Sequence, residues 1–122
     1  MPRPIHFEIP AENPHRAMAF YSQVFGWEFT KWDGPITYWS IRTGGDSEPG
    51  IDGGLLPQQS KDQPCVNTIR VDNLDMTIAL VAAAGGTTVL SKMAVPGVGW
   101  IAYCRDTEGH VFGIIQLDES AR

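Results

Sequence analysis

Arg16-Ala17-Met18-Ala19-Phe20-Tyr21-Ser22-Gln23-Val24-Phe25-Gly26-Trp27 is the stretch whose reading decides the fold. Ala17, Phe20, Tyr21, Val24 and Phe25 recur at helical spacing, which predicts an amphipathic helix with a single apolar face. Asn13 suits the N-cap, where a short side-chain oxygen accepts from a free amide of the first turn. Pro14 suits the first helical position, where a missing N–H costs nothing. Gly26 can enter the left-handed region that ends a helix. The chain then passes directly into a strand at Trp27.

Working outward, the same order of elements is read twice. The first half reads as a strand over Pro4–Ile9, the helix over Pro14–Phe25, and strands near Trp27–Trp32, Ile36–Arg42 and Gly50–Leu56. Asp33-Gly34-Pro35 and Gly44-Gly45-Asp46 punctuate the turns between them. The second half reads as a strand over Cys65–Val71, a helix over Leu74–Ala84 closing at Gly85-Gly86, and strands near Thr87–Met93, Gly99–Cys104 and His110–Leu117. Asp72 or Asn73 caps the second helix, whose apolar face is Leu74, Ile78, Val81 and Ala82. Gln58-Gln59-Ser60-Lys61-Asp62-Gln63-Pro64 is polar and reads as a linker. The expectation is an α+β fold in one domain spanning 1–122, with βαβββ modules at about 1–57 and 64–119 joined by 58–63. Neither module has enough apolar area alone, so the two should form a curved, half-open mixed β-sheet barrel with the helices outside.

Composition narrows the function classes. The chain has 122 residues, 43% of them hydrophobic and 19% charged, which suits a packed core rather than disorder. A formal net charge of −5 and the absence of any basic run argue against a nucleic-acid partner. No stretch has the length of a membrane span and no apolar signal segment opens the chain, so a soluble, cytoplasmic protein is expected. Cys65 and Cys104 have no metal-type spacing and are read as unpaired thiols. No nucleophile elbow, phosphate loop or dinucleotide fingerprint is present.

The helix ending in Phe25-Gly26-Trp27, together with Asp106-Thr107-Glu108-Gly109-His110-Val111-Phe112-Gly113 near the C-terminus, resembles the vicinal oxygen chelate superfamily. That superfamily includes glyoxalases, bleomycin-resistance proteins and extradiol dioxygenases. Within it, the chain resembles the bacterial-type group related to lactoylglutathione lyase. The resemblance implies the paired βαβββ architecture and a common tendency to dimerise. It also implies, for metal-dependent members, a divalent metal held by one His or Glu from the first and last strand of each module. His6 keeps the family's spacing to Phe20 and matches the first position. The other three fall at Gly54, Val66 and Gly113, none of which carries a ligand. A catalytic metal wants about three protein ligands. No cofactor is therefore expected, and any non-standard metal site would have to use His6, Asp52 and Glu8.

Strand alternation assigns the remaining candidates. Ile5, Phe7 and Ile9 should pack beneath the first helix, against Phe20 and Val24, which turns His6 and Glu8 into the cavity. In the fifth strand Ile69 and Val71 take the helix side, which leaves Val66, Thr68 and Arg70 facing the cavity. Gly53-Gly54 and Gly113 would widen the cavity, since a strand glycine marks a bulge or a close approach. Tyr38, Trp39, Trp100 and Tyr103 are candidates for its walls or, equally, for core or interface. The predicted ligand-contacting set is His6, Glu8, Trp39, Asp52, Gly54, Val66, Thr68, Trp100 and Gly113.

Three functions are consistent with this reading. The first is metal-independent binding or sequestration of a small organic ligand. The second is an enzyme of lyase, isomerase or oxygenase type, with His6 as acid or base or in a non-standard metal site. The third is a dimeric scaffold subunit.

Overall fold

Asparagine, proline and glycine set the limits of the first helix as their chemistry requires. The computed structural model describes residues Met1–Arg122. Helix α1 spans Pro14–Phe25; Asn13 is its N-cap, with Oδ1 accepting from the Arg16 amide at 3.1 Å, and Gly26 closes it in the left-handed region at φ 75°. Helix α2 spans Leu74–Ala83 and is capped by Asn73, whose Oδ1 accepts from the Met76 amide at 3.0 Å. Eight strands complete the order: β1 Arg3–Ala11, β2 Glu28–Lys31, β3 Trp39–Arg42, β4 Asp52–Pro57, β5 Val66–Arg70, β6 Thr87–Val95, β7 Gly99–Arg105 and β8 Val111–Leu117.

The chain divides into two compact units, one of His6–Cys65 and one of Val66–Arg122 with Met1–Ile5. In the first, the strands lie in the order β2-β3-β4-β1. β1 runs parallel to β4, with His6 opposite Asp52 and Glu8 opposite Gly54, while β3 is antiparallel to both β2 and β4. In the second, the order is β5-β8-β7-β6. β5 runs parallel to β8, with Thr68 opposite Gly113, and β7 is antiparallel to β8 and β6. The fold is thus α+β with mixed sheet, built from two βαβββ repeats. The parallel pairs need a crossover, and each helix belongs to the connection that supplies one.

Each unit has its own core. In the first, Ala11, Ile41 and Leu55 are buried, with Phe7, Ile9, Ala17, Met18, Trp27, Phe29 and Trp39 packed around them. In the second, Val71, Leu74, Ala102, Cys104 and Ile114 are buried, with Ile69, Ile78, Val81, Trp100 and Phe112 around them. Strand alternation therefore assigns Phe7, Ile9, Ile69 and Val71 to the correct face.

The expected packing of Phe20 and Val24 on the sheet is not what forms. Both are more than half exposed, at 56% and 53%, and α1 meets its core through Ala17 and Met18 instead. The reason lies at the end of the helix. Trp27 folds back beneath it and stacks on Tyr21, with ring centroids 5.0 Å apart and planes 10° apart. Phe25 and Phe7 close on the same indole at 5.4 Å and 5.7 Å. That aromatic cluster takes the place the apolar stripe would otherwise fill. The third strand is also shorter than Ile36–Arg42, because residues 36–38 leave the ladder before Trp39. Cys65 is exposed and Cys104 buried, and both are free thiols. No helix is long and apolar enough to cross a membrane.

Leu74 is fully buried, whereas Leu80 on the same helix is 65% exposed. Leu74→Ala should therefore cost about 2–5 kcal/mol of unfolding free energy. Leu80→Ala should change it by about 0.5 kcal/mol or less. Urea denaturation of the two variants checks the assignment of the apolar face of α2.

Candidate functional site

His6 and Glu8 project from β1 on the face opposite Phe7 and Ile9, because side chains alternate along a strand. His6 is half-buried and Glu8 is buried. Tyr38 arrives at this face from the segment just before β3. Its hydroxyl and Nε2 of His6 share a hydrogen bond of 2.7 Å, with the two rings roughly parallel. The Tyr38 backbone is fixed by its carbonyl, which accepts from the Trp32 amide at 2.8 Å. The indole of Trp32 meets the Tyr38 ring edge-on at 6.0 Å between centroids.

Gly54 is what admits the phenol. A Cβ on residue 54 would fall on the Tyr38 hydroxyl and ring. The glycine that sequence reading treats as a widened cavity is thus already filled by the chain's own tyrosine. Next to it, Asp52 lies exposed beside His6 in the β1–β4 register. Its Oδ1 accepts from the Thr43 amide at 2.9 Å and from the Thr43 hydroxyl at 3.2 Å. Those bonds hold the carboxylate toward the β3–β4 loop.

The environment keeps both members of the pair neutral. Burial pulls the His6 imidazole below its usual pKa of 6.5, against the opposing pull of the Asp52 charge. Burial, reinforced by the Glu8 carboxylate, pushes the Tyr38 phenol well above its usual range. At neutral pH the site presents an uncharged imidazole bonded to an un-ionised phenol. Such a pair can donate and accept hydrogen bonds, and the imidazole can accept a proton.

These residues do not fit the four-ligand metal centre that the family resemblance implies. In the first unit, His6 has its Nε2 engaged by Tyr38 and position 54 has no side chain. In the second unit, Val66 and Gly113 carry no donor. No three His, Cys, Asp or Glu side chains gather in a way that could hold a metal, which includes the trio His6, Asp52 and Glu8.

The structure separates the rest of the predicted set. Trp39 packs into the core of the first unit, with the His15 ring edge-on at 5.6 Å. Trp100 packs against the core of the second, donates from Nε1 to Asp118 at 3.2 Å and lies under the Lys92 ammonium at 4.9 Å. Both indoles are half-buried and pack against the core of their own unit. Val66, Thr68 and Gly113 lie together in the second unit, on β5 and β8. Tyr38, Trp32 and Thr43 are the residues that shape the His6 site and are absent from the predicted ligand-contacting set. A tyrosine just upstream of a strand, across from a strand glycine, was the available signal for Tyr38. A cleft of about 450 Å³ in the first unit is bounded by Ile9, Arg16, Ala17, Phe20 and Tyr21 among others and includes none of the predicted residues.

With this geometry established, the chain can be set beside known proteins. The glyoxalase-like domain family matches residues 6–115. A glyoxylase-like domain-containing protein of Didymella fabae is 32% identical over 114 residues, which are 88% of this chain and 88% of that protein. The CFP32 protein of Mycobacterium tuberculosis is 28% identical over 112 residues, 89% of this chain but only 42% of that protein, so the chain spans less than half of this longer relative. Among solved structures, hypothetical protein BH1468 from Bacillus halodurans C-125 superposes with a TM-score of 0.70 at 14% identity, covering 99% of this chain and 98% of that one. Methylmalonyl-CoA epimerase from Mycobacterium tuberculosis gives a TM-score of 0.68 at 14% identity, covering 94% and 87%. At those identities the two structures establish likeness of fold. The chain belongs to the glyoxalase-like domain family.

Two substitutions test the electrostatics with opposite signs. Asp52→Asn removes the charge that raises the His6 pKa, so the imidazole should titrate lower still. Gly54→Ala displaces Tyr38 and lets water in, so the imidazole should move back up toward 6.5. Proton NMR of the His6 ring across pH 4 to 8 reads both. Because the folded His6 pKa lies below its unfolded value, the unfolded chain binds the extra proton first. His6 thus lowers stability as pH falls below about 6.5, and Gly54→Ala should shrink that part of the slope.

Proposed function

We propose that the chain binds a small, uncharged organic molecule without a metal, using His6 and Tyr38 as its polar contacts. The observation that carries this reading is the 2.7 Å bond between His6 Nε2 and the Tyr38 hydroxyl. It engages the one side chain that matches a family metal ligand, and it leaves a neutral donor–acceptor pair. Small-molecule sites typically combine apolar and aromatic walls with a few such polar groups. Trp32 and the Tyr38 ring supply an aromatic wall here, and burial, with Glu8 adding to it, raises the phenol pKa. A ligand with one carbonyl or hydroxyl suits the pair better than an anion, which the Glu8 and Asp52 carboxylates would repel.

One observation favours a second reading, in which the site is catalytic. A half-buried imidazole with a lowered pKa stays neutral at pH 7 and is competent as a general base. In this reading Tyr38 orients the ring through their shared hydrogen bond, and the imidazole takes the proton from the bound compound.

Tryptophan fluorescence separates the readings, since Trp32 touches Tyr38. Titrating a panel of neutral aromatic ketones and alcohols should give saturable quenching that Trp32→Phe removes. His6→Ala and Tyr38→Phe should each weaken binding by about tenfold, the worth of one well-placed hydrogen bond. Binding that survives both substitutions contradicts the proposal. Turnover of a bound compound, with a pH–rate profile lost in His6→Ala, decides for the catalytic reading.

A further inference from the structure

The second unit repeats the first in register but differs in chemistry. Glu8 lies opposite Gly54 in one, and Thr68 lies opposite Gly113 in the other. Over Gly54 the space is taken by Tyr38. Over Gly113 a Cβ would sit 2.9 Å from Thr68 Oγ1 and 3.4 Å from the Tyr103 ring, so the glycine keeps the threonine hydroxyl free of a side chain from β8.

That hydroxyl is 2% exposed as a residue and has no hydrogen-bond partner. It is unusual, because buried polar groups are nearly always paired and an orphaned one is costly. A strand threonine normally satisfies its hydroxyl on a nearby backbone carbonyl, and valine of the same shape would avoid the cost altogether. Two residues along, on the same face of β5, Arg70 is exposed and forms no ion pair. Its neighbour on β8 is the apolar Ile115. The strand therefore carries, on one face, an unpaired hydroxyl and a guanidinium without an ion pair, on residues whose backbones lie about 6–7 Å apart. The arginine stem is long enough to span that separation.

We propose that Thr68 and Arg70 form a carboxylate subsite, distinct from the His6 pair in residues and in ligand charge. It is suited to a short 2-hydroxy or 2-oxo acid. The guanidinium takes the carboxylate in a paired, charge-assisted contact. The threonine hydroxyl takes the adjacent hydroxyl or carbonyl oxygen, which satisfies the orphaned group. The half-buried Tyr103 ring beside Gly113 is the side chain that such a ligand has to move.

The test uses the full-length chain, isotopically labelled, with glycolate as probe and acetate and glycolamide as controls that each lack one of the two groups. Glycolate at tens of millimolar should shift the amides of Thr68, Arg70 and Gly113 and the Tyr103 ring, and should bind more tightly than either control. Arg70→Gln should weaken glycolate by about tenfold. Thr68→Val should remove the preference for glycolate over acetate, while Thr68→Ser, which keeps the hydroxyl, should retain it. Thr68→Val should also raise the melting temperature of the free protein, since it deletes an unpaired buried hydroxyl. The inference is overturned if glycolate shifts no resonance in this group, if glycolate and acetate bind alike in the unaltered chain, or if the affinity for glycolate is unchanged in Arg70→Gln. Failure at the His6 site leaves these readouts untouched, because none of them uses His6 or Tyr38.

Discussion

Residue 54 and Tyr38 compete for one volume, and the chain resolves the competition by giving residue 54 no side chain. Everything at the His6 site follows from that exclusion. The phenol can reach β1 only because β4 carries a glycine opposite Glu8. Once there, its hydroxyl bonds His6 and its ring shields the imidazole from water, which lowers the histidine pKa. The same burial, with Glu8 nearby, keeps the phenol protonated. One absent side chain thus moves the pKa values of two neighbours in opposite directions.

The parallel pairing of β1 with β4 explains why these residues meet at all. Parallel strands need a crossover, and α1 lies within it, capped by Asn13 and released by Gly26. A shift of one residue in the pairing would turn His6 and Glu8 toward the core and Phe7 and Ile9 outward. The burial of Ile41 and Leu55 against Phe7 and Ile9 prevents that slip. The second unit uses the same arrangement, with Ile114 buried in its core and packed among Ile69 and Phe112. What differs between units is the chemistry at the equivalent positions: a histidine and a glutamate in one, a valine and a threonine in the other.

Much of this was legible in the residues. The caps, the order of the elements and the facing of β1 and β5 follow from Asn13, Gly26, Asn73 and the period of two, since those signals are local. The family was legible in Phe25-Gly26-Trp27 and in the final hairpin. Phe20 and Val24 were misplaced because helical periodicity finds an apolar stripe but not its partner, and Trp27 folding back under Tyr21 is a tertiary event. Trp39 and Trp100 were left ambiguous because alternation does not fix the face of these middle strands; in the structure both pack against a core. Tyr38 went unassigned to His6 because the two are joined by a contact between distant residues, and no spacing rule announces such a bond.

The central claim is that His6 is held by a phenol where a metal-dependent relative would use the same position on a metal. Elemental analysis of untagged protein, purified without chelator and then incubated with zinc, nickel, manganese and iron in turn before desalting, tests it most directly. The account predicts bound metal far below one ion per chain in every case. About one ion per chain, lost in His6→Ala, would contradict it.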